Sequence, residues 1–336
     1  MNTTKPVLVL TQGDPAGIGP EVLWKTAADP WLTEVCRPIL VMEKAAVDAL
    51  RGNVPEPRSV RFTSGPLPPE GVGEGLTVVD PLPGSGRRVT PGRPGPEDAR
   101  GALKALDRGI ELVRSGVGAA LVTAPLNKAE IARHVDRDFR GHTDYLAERS
   151  GLGAYGDDYL MAFLTPRLKV ALLSTHISLQ EALDRVTEER VLAALRCMGR
   201  HVRGRIVVAG LDPHAGEGGL IGTRDDEAVR PAVERARAEG LDVRGPESAD
   251  SLFARVLRGA ADWVLALYHD QGLIGVKTAA FGDATNWTLG LPYIRTSVDH
   301  GTAYDIAGRG EADPSSLRAV IETTLHMVSD SAAAVP

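Results

Sequence analysis

The chain has 336 residues, 43% hydrophobic and 24% charged, with a formal net charge of −6. That length buries a full core, as one large α/β unit or two domains, and the acidic balance excludes a general affinity for nucleic acid or anionic membrane while leaving room for a small anion held by local cations. Cys36 and Cys197 have neither CxxC nor zinc-ribbon spacing, so reduced thiols in a cytoplasmic protein are expected rather than a disulfide framework.

The first apolar run, VLVLT (7–11), is too short for a signal-peptide core or a membrane span, and no later run approaches spanning length. A soluble protein without a membrane partner is the expectation. Six more short runs read as buried strands: PILVM (38–42), AALVTAP (119–125), YLMAFLT (159–165), LKVALLST (168–175), RIVVAG (205–210) and WVLALY (263–268). Helical spacing fills 96–116, 178–201 and 223–240, the last with Pro231 marking a kink or a first turn. Strands alternating with helices imply a largely parallel sheet covered on both faces. Residues 81–96 form a Pro/Gly-rich connection.

Two glycine-rich stretches differ in value. GLGAYG (151–156) follows a helical segment and precedes a strand, the reverse of a dinucleotide fingerprint, and is read as a turn. QGDPAGIGPEV (12–22) follows a strand and opens a helix, where an anion could be received, but it lacks the glycine-lysine pair of an ATP loop.

The histidines separate by context. His134, His201 and His326 lie in helix-like stretches without a polar cluster, whereas His176, His214 and His269 each follow an apolar strand. Open α/β sheets bind ligands outside the carboxyl ends of their strands. The three imidazoles are therefore either unconnected hydrogen-bonding groups or the three protein ligands of a divalent cation with an open position. In YHDQGLIGVK (268–277) the strand is expected to end in a turn shaped by Gln271 and Gly272 that brings Lys277 back toward His269. FRGHTDYLAE (139–148) and VDHGTAYDIAGRG (298–310) place His142 and His300 beside Gly141 and Gly301; His142-Thr143 also reads as a simple helix start.

Taken together, GDPAGIGPE, TAPLNK, GHTDYLAE, STHISL, DPHAGEGG, YHDQGL and NWTLGLPYIRTSVDHGTAYDIAGRG, spread from about residue 7 to 330, resemble the signature blocks of the 4-hydroxythreonine-4-phosphate dehydrogenase family of vitamin B6 biosynthesis and its paralogues. The resemblance implies an α/β, isocitrate/isopropylmalate dehydrogenase-like fold of two α/β/α domains with a cleft between them. It implies a nucleotide-side domain of 1–125 plus 285–336 and a metal, substrate and dimer-forming domain of 126–284. It further implies a homodimer with an active site shared between subunits, and a divalent metal (Zn, Co or Mg) on His176, His214 and His269, with His269 from the other subunit. Substrate contacts fall on His142, Thr143, Lys277, Asn286 and Arg295. NAD or NADP falls on the loop with His300, Gly301 and Asp305, NAD being favoured because Arg309 is the only obvious base there for a 2′-phosphate. Two departures from the family pattern are Asp212, where Asn is usual, and Arg224-Asp225, where paired glutamates are usual.

The implied reaction oxidises the secondary alcohol of 4-phosphooxy-L-threonine, a phosphorylated hydroxy acid, and decarboxylates the product to 3-amino-2-oxopropyl phosphate. Lys277, Asp250 and Asp270 are the candidates to take the alcohol proton. Two alternatives stand: a paralogue acting on 4-phosphothreonate, 4-phosphoerythronate or a carboxylated cis-dihydrodiol, and a non-redox metal-dependent hydrolase or acyltransferase.

Overall fold

The computed structural model describes residues 5–67, 72–280, 282 and 284–333. The chain separates into two compact units, one of Met1–Leu146 with Tyr293–Pro336, the other of Ala147–Pro292. These boundaries put residues 126–146 in the first unit and 285–292 in the second, where the family resemblance implies the opposite.

The first unit contains β1 (Val7–Thr11), β2 (Arg37–Val41), β3 (Val60–Thr63), β4 (Leu76–Val79), β5 (Ala120–Thr123) and, last in chain order, β12 (Ile294–Ser297). They lie side by side as β3-β4-β2-β1-β5-β12, every pair parallel. Val, Leu and Ile recur through β1, β2 and β5, and every one of them is buried because helices cover both faces of a parallel sheet. Leu8, Leu10, Leu40 and Val122 belong to one continuous aliphatic core with Val22, Leu23 and Ile321.

The second unit contains β6 (Leu160–Leu164), β7 (Lys169–Leu172), β8 (Ile206–Ala209), β9 (Val243–Glu247), β10 (Trp263–Ala266) and β11 (Thr285–Leu289). Their order is β11-β6-β7-β10-β8-β9. The expected parallel sheet holds for β7, β10, β8 and β9, whereas β11–β6 and β6–β7 are antiparallel. For β6 and β7 the cause is the connection, a turn closed by Thr165 N donating to Leu168 O at 2.9 Å, too short for the crossover a parallel pair needs.

β3, β4, β9, β11 and β12 are absent from the sequence reading. They are short and interrupted by Thr or Arg, so an apolar-run criterion passes over them. The expected helix 178–201 is two helices, Leu179–Asp184 and Glu188–His201. Each has its own cap, Ser178 accepting from Glu181 N and Thr187 from Arg190 N. In 223–240 a π turn (Asp225–Val229) leads into Arg230–Ala238, and Pro231 occupies that helix's first turn, directly after the π turn. Cys36 and Cys197 are buried free thiols, pushed up by that burial to about 12 and about 11. Among the described residues no helix is long and apolar enough to cross a membrane.

Candidate active site

In the second unit the three strands that precede His176, His269 and His214 are neighbours: β7, β10 and β8, mutually parallel and in that order. Parallel strands lie about 4.8 Å apart, so the three chain ends emerge side by side across roughly 10 Å of one sheet edge. The segment after Leu172 carries His176, the helix His269–Ala279 begins at the end of β10, and the loop after Ala209 carries His214.

His176 and His269 stand together, with ring centroids 5.3 Å apart. They line one pocket with Thr175, Ile177, Tyr268 and Asp270. His214 lines an adjoining pocket with Asp212, Ser248, Asp250, Tyr268 and Gln271. Tyr268, which the sequence reading did not single out, borders both; its place at the end of WVLALY is the signal that would have found it. Within one chain the near pair is His176 with His269, and among the described residues no three His, Cys, Asp or Glu side chains converge closely enough to hold a metal.

Asp270 Oδ1 lies 2.7 Å from His269 Nδ1. A proton on Nδ1 satisfies that carboxylate and leaves the Nε2 lone pair outward, the tautomer a metal ligand requires. Asp250 accepts from Ser248 Oγ at 2.6 Å. That bond, with the nearby His214 among the smaller causes, holds its carboxyl below the usual range, so it is a poor proton acceptor at neutral pH.

The expected turn after His269 is a helix, His269–Ala279. Gly272 is where this helix lies on the sheet: a Cβ there would meet Leu172 Cδ2 at 2.6 Å and Val170 Cγ1 at 3.0 Å. Lys277 is in the last turn, exposed, about 12 Å along the axis from His269 at 1.5 Å per residue, so no reversal of the chain carries it back. Asn286 on β11 is partly buried, and its Oδ1 is buried without a hydrogen-bond partner.

In the first unit, Arg295 on β12 is 1% exposed, the largest of the fully buried side chains. Its Nη2 donates to Thr123 Oγ1 at 2.5 Å, at the end of the neighbouring strand β5. Burial pulls the guanidinium down to about 9. His142 opens the helix His142–Arg149, with Thr143 buried behind it. Burial first, then the charge of Arg295, holds His142 well below the usual imidazole range. The pair is a fixed cation beside a neutral imidazole, suited to an anion that also needs a neutral hydrogen-bond partner. Thr123 is a second residue missed in the sequence, though it ends the strand in AALVTAP.

The loop after β12 carries His300, Gly301 and Asp305. It is stitched to the first βα loop by Ile18 N donating to Thr302 O at 2.9 Å and Tyr304 Oη donating to Asp14 Oδ2 at 2.5 Å. That βα loop needs Gly13: its φ is +67° and a Cβ would fall 2.0 Å from Pro125 O.

Residues 34–324 match the family described as pyridoxal phosphate biosynthetic protein PdxA. The 4-hydroxythreonine-4-phosphate dehydrogenase of Aromatoleum aromaticum is 40% identical over 330 residues, which span 96% of this chain and 97% of that protein. The crystal structure of the Klebsiella pneumoniae 4-hydroxythreonine-4-phosphate dehydrogenase has a TM-score of 0.86 at 36% identity, covering 98% of this chain and 99% of its own. A terephthalate 1,2-cis-dihydrodiol dehydrogenase from Burkholderia xenovorans has a TM-score of 0.65 at 27% identity, covering 96% and 98%. All three are named dehydrogenases. The family match over most of the chain, with relatives of the same length and fold, makes this chain a member of the PdxA family and an oxidoreductase acting on a CH–OH group.

Proposed function

We propose that the chain oxidises 4-phosphooxy-L-threonine at its secondary alcohol and decarboxylates the product to 3-amino-2-oxopropyl phosphate, in the biosynthesis of pyridoxal phosphate, with NAD or NADP and a divalent metal. The observation that carries the reading is the row of three histidine-bearing strand ends, β7, β10 and β8, on one sheet edge.

His176, His214 and His269 would hold the metal. The donor chemistry fits: imidazoles suit zinc or cobalt, and Asp270 fixes the tautomer that leaves His269 Nε2 available. When bound, the cation supplies Lewis acidity toward the alcohol and the new carbonyl, and the nicotinamide supplies the hydride acceptor. Arg295 binds the phosphate, with His142 and Thr143 as neutral partners. Asn286 Oδ1, buried and unsatisfied, takes a hydrogen bond from a substrate N–H or O–H. Lys277 Nζ takes the alcohol proton, since Asp250 is held below the usual range and Asp270 is bonded to His269. His300, Gly301 and Asp305 line the nucleotide. Oxidation gives a β-keto acid, carbon dioxide leaves, and a proton returns to the carbon that carried it.

The shared-site reading, a homodimer in which His269 of the partner subunit completes the ligand set, has its own support. Leu179, Leu220, Ile221 and Ile274 are 57, 85, 49 and 67% exposed, and each lies on or beside a segment bearing one of the three histidines. An exposed apolar set of that placement suits a second copy of the chain.

The experiment is NADH or NADPH formation by purified chain with Zn2+, Co2+ or Mg2+. Four substrates are offered in parallel: 4-phosphooxy-L-threonine, 4-phosphothreonate, 4-phosphoerythronate and a carboxylated cis-dihydrodiol. A clear preference for the first supports the reading; preference for another replaces it with that activity, and silence on all four overturns the proposed reaction.

A further inference from the structure

The three histidine-bearing strand ends are tied to one another by a line of buried hydrogen bonds. Ser174, between β7 and His176, donates its hydroxyl to Leu267 O at 3.0 Å. Leu267, at the end of β10, donates its N–H to Gln271 Oε1 at 2.7 Å. Gln271 Nε2 in turn donates to Gly210 O, at the end of β8, at 2.7 Å. Beyond Gly210, Leu211 N and Asp212 N donate to the carboxylate of Asp225 at 2.8 and 2.9 Å. The three side chains in this line, Ser174, Gln271 and Asp225, are 1, 9 and 0% exposed.

We infer that Gln271 is a positioning residue: within one chain it fixes the loop carrying His214 and the helix carrying His269 to the ends of β8 and β10, so that each imidazole is held for the metal site it serves. The inference rests on the reading of His176, His214 and His269 as metal ligands. Gln271 is two residues from His269, and its amide spends its acceptor on β10 and its donor on β8. A primary amide does both at once; a carboxylate of the same shape would meet Gly210 O with a second acceptor. The loop needs an external hold. His214, Ala215 and Glu217 have φ of 55, 53 and 46°, a left-handed run that non-glycine residues adopt only when their surroundings impose it. Gly210 leaves no slack either: a Cβ there would lie 3.0 Å from Ala215 Cβ.

The test is Gln271→Glu in the full chain. Zn2+ and Co2+ affinity are measured by calorimetry, the visible absorption of bound Co2+ is recorded, and KM for the nucleotide is followed. Affinity is expected to fall roughly 10- to 100-fold, as for other residues that orient ligands, with an altered Co2+ spectrum and an unchanged nucleotide KM. His176→Ala and His214→Ala are measured alongside. If these keep wild-type affinity, the ligand reading fails and the inference with it. If they lose the metal while Gln271→Glu keeps wild-type affinity and spectrum, the positioning role alone is overturned. Should Gln271→Glu not fold, hydrogen exchange of the wild-type chain decides. Zn2+ is expected to slow the amides of Leu211, Asp212 and Leu267 together, and slowing at Leu211 and Asp212 with Leu267 unchanged overturns the inference.

Discussion

Replacing Arg295 by Met should make the unliganded protein more stable and the enzyme useless. Burial takes this guanidinium down to about 9. At about 1.4 kcal/mol per pH unit, everything around Arg295 together disfavours its charge by roughly 5 kcal/mol. The group stays charged at neutral pH, folded or unfolded, so the cost is present in full below pH 9 and is relieved only as pH climbs from there toward the ordinary guanidinium value. Methionine of similar length removes that cost and loses the bond to Thr123 Oγ1, worth about 1.5–3 kcal/mol for a charged donor. The net expectation is a gain of about 2–3.5 kcal/mol, read as a higher urea midpoint at pH 7. KM for the phosphorylated substrate should rise at least about 100-fold, since a buried charge pair is worth several kcal/mol to its ligand. His142 gives a second readout. Burial, the larger cause of its depression, remains in the variant, so its imidazole should move up toward 6.5 without reaching it. Because the folded value is depressed, stability falls as pH drops below 6.5, and the variant should lose less of it. A variant at least 2 kcal/mol less stable with an unchanged KM would refute the reasoning and make Arg295 a structural residue.

Gly13→Ala should destabilise the first unit by more than about 2 kcal/mol in urea unfolding, since a left-handed backbone and contact with Pro125 O oppose any side chain; a change under 0.5 kcal/mol would contradict the geometry. Lys277→Met should abolish turnover while metal content stays at the wild-type level, measured by atomic absorption, and wild-type turnover would remove Lys277 from the reaction. Ile274→Asp, a charge placed on a 67% exposed apolar side chain, should shift sedimentation from dimer to monomer and lower metal affinity with it. A dimer that persists with full affinity would put the shared surface elsewhere.

The strand ends were legible in the sequence because an apolar run followed by polar residues is a local signal. VLVLT, PILVM, RIVVAG and WVLALY each lie within a residue or two of the strand observed, and the rule that ligands gather at carboxyl ends picked out His176, His214 and His269. The sheet order that makes β7, β10 and β8 neighbours is a long-range fact with no local signature. The same holds for Thr123, which looks like any strand-end threonine until β12 brings Arg295 beside it. The turn expected after His269 failed for an opposite reason. HDQGLIGVK carries two glycines, which argue against a helix by propensity, yet Gly272 and Gly275 are what let this helix lie close to the sheet and to Phe253. Tertiary packing outweighed the local preference.

The departures at Asp212 and Arg224-Asp225 also change meaning in three dimensions. Asp225 is fully buried, its carboxylate occupied by the backbone of Leu211 and Asp212, so it belongs to the scaffold of the loop and not to the surface a substrate meets. Asp212 lies close over Gly222, where a Cβ would come within 2.0 Å of its Oδ2. It still lines the His214 pocket together with Asp250. Two carboxylates beside an imidazole favour a cation there and disfavour the phosphate and carboxylate of the substrate. On the proposed function the anion falls to a cation, the buried Arg295 of the first unit, and the carboxylate-lined pocket of the second unit falls to the metal.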